Sequence, residues 1–452
     1  MAAKENDLPA ELRMTASEMR DRLATGALKA VEVAKATISH IEAKEPDVRA
    51  WTWFDPEFVM NQAEHLDKFR ASGRAIGALH GVPVGIKDII DTAKIPTENG
   101  SPIDAGRVPT TDAFVVERLK QAGAVIVGKT VTTELAFMDT GKTRNPNNLE
   151  HTPGGSSSGS AAAVAAGMVP LAIGSQTGGS VIRPASFCGV VGFKPTYGAI
   201  PRTGMLSQAP SLDTVGVFAQ TVDDAALVAQ NLFGFDQRDK ATSLTPAQNL
   251  FDTARSAPPV KPTIAFVRQP AWNVADEDTQ SAFKELTEFL GEDCLEVDLP
   301  TAFTEAMIGQ RHIQLAELAK SYFGYARRGA DKLGPKLTEA LEKGNEVLAR
   351  DYMAALDWSD ILNAALDEIF DRFDAIITPA APGAAPKGFE NGGDPAFNGL
   401  WTMCGVPAVT IPLFEASNGL PMGVQVIGRR GDDGRVLRNA RWLAQHVQQA
   451  TS

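Results

Sequence analysis

Residues 154–180 read GGSSSGSAAAVAAGMVPLAIGSQTGGS, two loops rich in glycine and serine with an alanine-rich segment between them. Consecutive glycines before a serine leave backbone N–H groups open to a ligand, and such groups can form an oxyanion hole. The small residues of 161–166 favour a helix on which another element packs closely, which would hold the two loops together. The stretch therefore predicts two neighbouring serine loops, with Ser156 and Ser180 placed 24 residues apart.

Outside this stretch the chain alternates between strand and helix patterns. Residues 81–86 form an apolar strand pattern that ends at Lys87, and an amphipathic helix pattern at 111–121 precedes a β-branched strand at 124–127. Such alternation indicates a buried, parallel sheet. Later patterns predict a strand at 263–267, a hairpin of 408–413 with 422–427, and a final helix around 436–446. We expect one domain over residues 1–452, with a mostly helical insertion at about 300–373.

The composition is that of an ordinary globular chain with an acidic surface. Of 452 residues, 44% are hydrophobic and 22% are charged, and the formal net charge is −12. This acidity argues against a nucleic-acid partner, since phosphates attract clustered lysine and arginine. The three cysteines are far apart, and the six histidines show no HxH or HExxH spacing. We therefore expect no disulfide, no metal and no cofactor.

The sequence also predicts no membrane partner. Residues 1–14 lack the apolar core of a signal peptide. The longest weakly polar run, residues 161–174, has 14 residues and is too short for a transmembrane helix. A cytoplasmic location is the expectation.

Two short motifs offer alternative active sites. Residues 123–130 match the phosphate-binding loop GxxxxGK[ST], but the Ala-Val-Ile-Val between the glycines favours a strand. Residues 155–159 match GxSxG, the nucleophile elbow of α/β-hydrolases, which would make Ser157 the nucleophile of an esterase. That elbow needs a strand directly before it and a histidine in the cleft. The preceding residues read as a loop, and neither His312 nor His446 lies beside a turn that would place it in a cleft.

A third constellation uses more of the chain, and its motifs resemble those of the amidase signature family. The matching motifs are GIKD (85–88), GGSSSGS (154–160), QTGGS (176–180), FCGVVGFKPTYG (187–198), SLDTVG (211–216), GVPA (405–408) and GLPMGVQ (419–425). The resemblance extends over roughly residues 15–443. It implies an α/β fold with a large mixed, mostly parallel central sheet covered by helices on both faces. It also implies a serine amidohydrolase that cleaves C–N acyl bonds through an acyl-enzyme.

The resemblance implies a Ser–cis-Ser–Lys triad. Ser180 would attack the carbonyl carbon, Ser156 on a cis bond after Gly155 would relay the proton, and neutral Lys87 would be the base. The pKa of lysine in water is near 10.4, so burial would have to lower it by roughly three units. The oxyanion would be held by the backbone N–H groups of Thr177, Gly178, Gly179 and Ser180.

Further positions receive supporting roles. Ser157 is expected to support its loop by hydrogen bonding. Many family members carry Asp where Gln176 stands and Arg two residues after the nucleophile, whereas here Arg183 follows Ser180 by three residues. Gln176 and Arg183 could still hydrogen bond to each other.

The expected substrate follows from the same resemblance. It places Ala136, Phe137, Met138 and the helical insertion around the pocket, which favours aryl or alkyl acyl groups. We expect a stand-alone hydrolase whose small-molecule substrate is an amide, anilide or carbamate. We expect neither a nucleic-acid nor a membrane partner, and the sequence leaves open whether the chain forms a homodimer. The alternative is the A subunit of the tRNA-dependent amidotransferase, a glutaminase that feeds ammonia to a partner. Gln176 and the short chain weigh against that alternative.

Overall fold

The architecture is organised around an 11-stranded sheet. The computed structural model describes residues 8–451; residues 1–7, part of the stretch considered as a signal peptide, lie outside it. In chain order the strands are β1 (Trp51–Phe54), β2 (Pro83–Lys87), β3 (Val125–Thr130), β4 (Leu171–Gln176), β5 (Val191–Lys194), β6 (Thr214–Ala219), β7 (Ile264–Phe266), β8 (Cys294–Glu296), β9 (Ala375–Pro379), β10 (Ala408–Glu415) and β11 (Pro421–Ile427). Across the sheet they lie in the order β1-β3-β2-β4-β6-β5-β10-β11-β9-β7-β8.

The sheet is mixed, as predicted, but the expectation that it is mostly parallel is wrong. The parallel pairs are β2–β3, β2–β4, β7–β8 and β7–β9. The other six neighbouring pairs are antiparallel, so the antiparallel pairs outnumber the parallel ones. The reason is that β10 and β11 form the predicted hairpin in the middle of the sheet, with antiparallel neighbours on both sides.

Helices cover the sheet. They are α1 (Ala16–Thr25), α2 (Ala30–Val48), α3 (Pro56–Ala71), α4 (Phe114–Gln121), α5 (Ser158–Ala165), α6 (Ile182–Cys188), α7 (Val222–Leu232), α8 (Leu250–Arg255), α9 (Glu277–Leu290), α10 (Ala302–Ser321), α11 (Phe323–Gly329), α12 (Pro335–Glu346), α13 (Ala349–Phe370), α14 (Gly399–Met403) and α15 (Asp433–Thr451). Short 3-10 helices lie at Ala10–Leu12, Pro102–Asp104, Glu134–Ala136, Trp272–Val274, Gly291–Asp293 and Ala330–Lys332. Every residue of β2, β3, β4 and β6 is buried, which requires cover on both faces of the sheet.

The local signals explain several elements. Thr15 and Glu18 close both halves of a capping box at the start of α1. The predicted helix at 111–121 begins later, at Phe114, because the Asp112 side chain instead accepts from Ala93 N and Lys120 Nζ. Four helices, α10 to α13, occupy the predicted helical insertion. That the whole chain is one domain stays a prediction. Between residues 8 and 451 no helix is both long and apolar enough to cross a membrane.

The sheet brings the two serine loops and the lysine to one place. β2 and β4 are parallel neighbours, so their carboxyl ends, Lys87 and Gln176, meet at the same edge. Helix α5 begins directly after the first serine loop and packs against β2, β3, β4 and β6. All its residues are buried, and a Cβ on Gly159 would lie 2.3 Å from Ala50 O. The small residues of α5 therefore allow the close packing that the sequence predicts.

Candidate active site

Lys87 is the charged end of a buried strand, and its side chain is fully buried. Its Nζ donates to Ser156 Oγ at 2.7 Å and to Ser175 Oγ at 3.0 Å. Burial lowers the pKa of Lys87 well below its ordinary value, and the more distant charge of Asp213 opposes this only in part. No carboxylate of residues 8–451 forms an ion pair with Lys87. The amine is therefore stabilised in its neutral form, in which it can accept a proton from Ser156.

The first serine loop is fixed on both sides of its cis peptide bond. The Gly155–Ser156 bond is cis. Thr133 N donates to Ser156 O at 3.2 Å, and Arg183 Nη2 donates to Gly155 O at 2.7 Å. A Cβ on Gly154 would lie 2.9 Å from Pro184 Cα, so this position needs glycine. These contacts keep the Ser156 hydroxyl directed at Lys87.

Ser157 is a supporting residue of this loop in the structure. Its Oγ donates to Ser175 O at 3.2 Å and accepts from Ser175 N at 3.3 Å. A Cβ on Gly174 would lie 2.7 Å from Ser157 Oγ, so the Ser157 side chain packs directly against β4. No strand directly precedes the loop, and His446 stacks on Trp442 within α15. The features that a GxSxG elbow requires are therefore missing around Ser157.

Gln176 holds the turn between β4 and the second serine loop. Its Oε1 accepts from Val181 N at 2.8 Å and Ile182 N at 3.0 Å, and its Nε2 donates to Thr402 Oγ1 at 3.0 Å. Arg183 contacts other groups, so the suggested hydrogen bond between Gln176 and Arg183 does not form. The side-chain oxygen of Gln176 instead accepts from backbone N–H groups at the start of α6. Because this oxygen is uncharged, it does not need Arg183 as a counterion.

The second serine loop presents unpaired donors to a cavity. The loop carbonyl of Gly178 accepts from Thr402 Oγ1 at 2.7 Å, which fixes the loop from behind. A Cβ on Gly178 would meet no atom nearer than 3.9 Å, so open space lies in front of it. The Oγ of Ser180 makes no hydrogen bond with the described residues, Ser156 included. The same holds within the described chain for the backbone N–H groups of Thr177, Gly178, Gly179 and Ser180.

The cavity in front of Ser180 has a volume of about 720 Å³. Its wall contains the loop glycines, Arg183, and residues from α10, α14 and the segment 391–396. The side chains predicted from the resemblance also line it; they are Ala136, Phe137 and Met138. Ser156 and Lys87 are buried and are not part of the wall, whereas Ser180 lines it.

A series of side-chain amides crosses the cavity wall, and no pattern in the sequence indicated it. Gln310 Nε2 donates to Gln314 Oε1 at 3.2 Å, and Gln314 Nε2 donates to Gln208 Oε1 at 3.1 Å. Gln208 Nε2 in turn donates to Ala136 O at 2.9 Å. Gln314 Oε1 also lies about 4.0 Å from the position of a Cβ on Gly178. One side of the cavity is therefore polar, although the residues predicted from the resemblance are apolar.

Asp213 is a second feature whose role the sequence did not indicate. Its Oδ1 accepts from Thr177 Oγ1 at 2.6 Å, and its Oδ2 accepts from Ser207 Oγ and from Gln208 N and Ala209 N. Burial raises the pKa of Asp213 to about 6. The carboxylate anchors the residue that opens the nucleophile loop. Its motif, SLDTVG, was part of the resemblance, so a signal for it existed.

The remaining sequence motifs have structural roles. Residues 123–130, the phosphate-loop match, form β3 over Val125–Thr130. Lys129 Nζ is buried and donates to Ile90 O and Thr97 Oγ1. Within residues 8–451 no group of three or more His, Cys, Asp and Glu side chains could hold a metal ion.

Comparisons with known proteins agree on the family. The Amidase family model matches residues 32–437. The A subunit of the glutamyl-tRNA(Gln) amidotransferase from Carboxydothermus hydrogenoformans is 33% identical over 96% of this chain and 97% of the relative. The protein of the same name from Picosynechococcus sp. is 35% identical over 88% of this chain and 91% of the relative. Among solved structures, the peptide amidase of Stenotrophomonas maltophilia has a TM-score of 0.84 at 28% identity, covering 96% of this chain and 97% of that one. A structure described as a vestigial protein complex that reveals the origins of an s-triazine catabolic enzyme has a TM-score of 0.88 at 28% identity, covering 97% and 99%.

The amidotransferase relatives contradict the expected partners, a small-molecule substrate alone with no nucleic acid. They are named as one component of a glutamyl-tRNA(Gln) amidotransferase. The inference from the net charge of −12 to the absence of a nucleic-acid partner was wrong. The net charge is a sum over the whole chain, so it does not describe a local binding surface or the nucleic acid that a partner protein binds. The length of the chain does not weigh against the amidotransferase alternative either, since the match spans 97% of a relative's length. The family model and the relatives show that the chain belongs to the amidase signature family, whose members act on carbon–nitrogen bonds.

Proposed function

We propose that this chain is the glutaminase component of a glutamyl-tRNA(Gln) amidotransferase and releases ammonia from the side-chain amide of glutamine. The observation that carries the proposal is the buried hydrogen bond of 2.7 Å between Lys87 Nζ and Ser156 Oγ, in a site whose second serine, Ser180, lines a cavity. The amidotransferase relatives support the choice of substrate, because they match this chain over nearly its whole length.

The first half of the proposed reaction forms an acyl-enzyme. Ser180 Oγ attacks the amide carbon, its proton passes to Ser156 Oγ, and Ser156 passes its own proton to Lys87 Nζ. The oxyanion accepts hydrogen bonds from the N–H groups of the loop, which have no partner among residues 8–451. The Ser180 hydroxyl has to turn toward Ser156 when substrate binds, a tightening that active sites commonly show on binding.

The second half returns the protons. Lys87 gives its proton back through Ser156 to the leaving nitrogen, and ammonia departs. Water then attacks the acyl-enzyme, transfers a proton along the same route, and releases glutamate with Ser180 restored. A neutral Lys87 is needed at the start of both halves, which agrees with the direction in which burial shifts its pKa.

The cavity suits a small polar amide. A volume of about 720 Å³ lies within the ordinary range of ligand sites. The amides of Gln208, Gln310 and Gln314 supply donors and acceptors along one wall. A primary amide and the amino and carboxylate groups of glutamine can pair with such groups, whereas an aryl acyl group cannot.

The proposal is tested by ammonia release from L-glutamine. The chain is assayed alone and together with the other components of the Carboxydothermus amidotransferase, with formation of Gln-tRNA(Gln) as the second readout. Wild-type chain should release ammonia and support transamidation, and Ser180→Ala should do neither. Ser158→Ala is the matched control, because Ser158 follows the other serine loop and its Oγ donates to Val131 O. Ammonia release by Ser180→Ala, or cleavage of anilides and carbamates without any glutaminase activity, would refute the proposal.

A further inference from the structure

Arg183 is a buried guanidinium in the wall of the cavity beside Ser180. Its Nε donates to Gly392 O at 2.7 Å and its Nη2 donates to Gly155 O at 2.7 Å. Its Nη1 has no hydrogen-bond partner within the described chain. The side chain therefore links two loops of the site while part of its donor capacity is unused.

The charge of Arg183 also has no counterion. No carboxylate of residues 8–451 lies within 4 Å of the guanidinium, since none of the ion pairs formed there includes it. Asp394, two residues after the Gly392 that Arg183 contacts, is exposed, and its Oδ1 accepts from Ala396 N. Burial lowers the pKa of Arg183 to about 10, and the charge of Asp394 opposes this without a direct contact. A buried, unpaired cation is costly, and a ligand that supplies an anion would offset that cost.

A second unpaired atom lies beside the guanidinium. Within residues 8–451 Asn398 Oδ1 has no hydrogen-bond partner, while Asn398 Nδ2 donates to Ala380 O. Asn398 Oδ1 and Arg183 Nη1 lie 2.3 and 2.9 Å from the point that a Cβ on Gly179 would occupy. Both atoms thus lie close to Gly179, within the loop that carries the expected oxyanion donors. The neutral amide cannot supply the missing charge.

We infer that Arg183 pairs with a carboxylate on the acyl part of the substrate, so that the site selects amides of short dicarboxylic acids, glutamine among them. The inference rests on the proposed function only in placing the reacting amide at Ser180. Two features of the cavity agree with it. Its other charged wall residues are Arg311 and Asp394, so its net charge is positive, although the chain as a whole carries −12. The guanidinium is also held rigidly by two carbonyl oxygens, so that a carboxylate would meet a preorganised partner.

The experiment compares two primary amides of equal length. Glutaramate and pentanamide differ only in the terminal carboxylate, so the ratio of their kcat/KM values measures what the carboxylate contributes. For the wild type we expect a ratio of roughly 100, as is typical of a charged hydrogen bond in a desolvated site. A ratio near 1 would overturn the inference.

Two variants of Asn398 alter the surroundings of Arg183 without removing its links to the two loops. Asn398→Asp supplies an internal carboxylate beside Nη1 and should lower the ratio at least tenfold. Asn398→Leu loses the same bond to Ala380 O without adding charge and should keep the ratio near that of the wild type. Arg183→Lys should also lower the ratio. If Arg183 only links the loops, the ratio will stay at its wild-type value in every variant, whatever happens to the activity itself, and the inference fails.

A binding measurement separates this inference from the proposed function. Glutarate is titrated calorimetrically into Ser180→Ala and into Ser180→Ala/Asn398→Asp, neither of which needs to turn over substrate. Binding by the first that weakens at least tenfold in the second supports the carboxylate site, even if no glutamine is hydrolysed. Equal binding by both, or none, contradicts the site, even if the wild type proves to be a glutaminase.

Discussion

Replacing Lys87 by methionine tests the proposed base most directly. Methionine fills a similar volume without an amine, so Ser156 Oγ and Ser175 Oγ lose a donor but no cavity is opened. Each lost hydrogen bond costs about 1 kcal/mol, which is partly offset because a buried amine is no longer desolvated. We therefore expect Lys87→Met to change the free energy of unfolding by less than about 2 kcal/mol.

The effect on turnover should be far larger. Within the described chain Lys87 Nζ is the basic group in contact with Ser156 Oγ, so its removal leaves the relay without a proton acceptor. A general base contributes roughly 10²- to 10⁴-fold, and we expect kcat to fall about 10³-fold or more, equivalent to about 4 kcal/mol. The assay measures kcat and KM for glutamine together with thermal unfolding of the same preparation.

Lys194 provides the matched control. It is equally buried, but its Nζ donates to the carbonyl oxygens of Pro195 and Val406. Lys194→Met leaves these carbonyls without a donor and should destabilise the fold by about 1–3 kcal/mol while kcat is retained. A Lys87→Met variant with near-wild-type kcat/KM on any amide would refute the role of Lys87 as the base. So would an equal loss of kcat in both variants.

Three further outcomes follow from the site. Ser180→Ala should abolish ammonia release, whereas Ser157→Ala should leave a measurable fraction, because among residues 8–451 Ser157 Oγ bonds only the backbone of Ser175; the reverse result would favour the GxSxG interpretation. Because burial lowers the pKa of Lys87, kcat/KM should rise with pH and level off well below pH 10.4; a profile that levels off near pH 6.5 and changes in His446→Ala would contradict a lysine base. Exhaustive chelation should leave activity unchanged, since no cluster of three or more His, Cys, Asp and Glu side chains within residues 8–451 could hold a metal ion; a loss restored by zinc would contradict this.

The sequence predicted the elements whose patterns are local. The strand that ends at Lys87, the strand predicted at 263–267 and the hairpin of β10 and β11 each depend on a few neighbouring residues, and all are present. Strands β4 and β6 were not predicted. Both are fully buried and contain glycines that meet other side chains closely, as Gly174 meets Phe218, so no alternation of polar and apolar residues marks them. Their antiparallel pairing is a tertiary property that the sequence pattern does not contain.

For the site, the sequence indicated single residues better than the contacts between them. The glycines before Ser180 and the small residues of α5 have a local reason, and the structure places both loops beside β4. The expected contact between Gln176 and Arg183 failed because hydrogen-bond partners depend on where distant segments return. Thr402 reaches Gln176 from 226 residues away, and Gly392 reaches Arg183 from 209 residues away.

The three buried lysines show what kind of information the structure adds. Lys87, Lys129 and Lys194 each end or lie in a buried strand, and burial alone would lower the pKa of all three. Lys129 also donates to a hydroxyl, that of Thr97, but it has Asp88 at 3.8 Å as a counterion. Lys194 donates to two carbonyl oxygens, which have no proton to give. Lys87 differs from both, since its two partners are hydroxyl groups and no carboxylate within residues 8–451 pairs with it. A base must meet a group that can lose a proton, so the partners of Lys87, rather than its burial, support its proposed role.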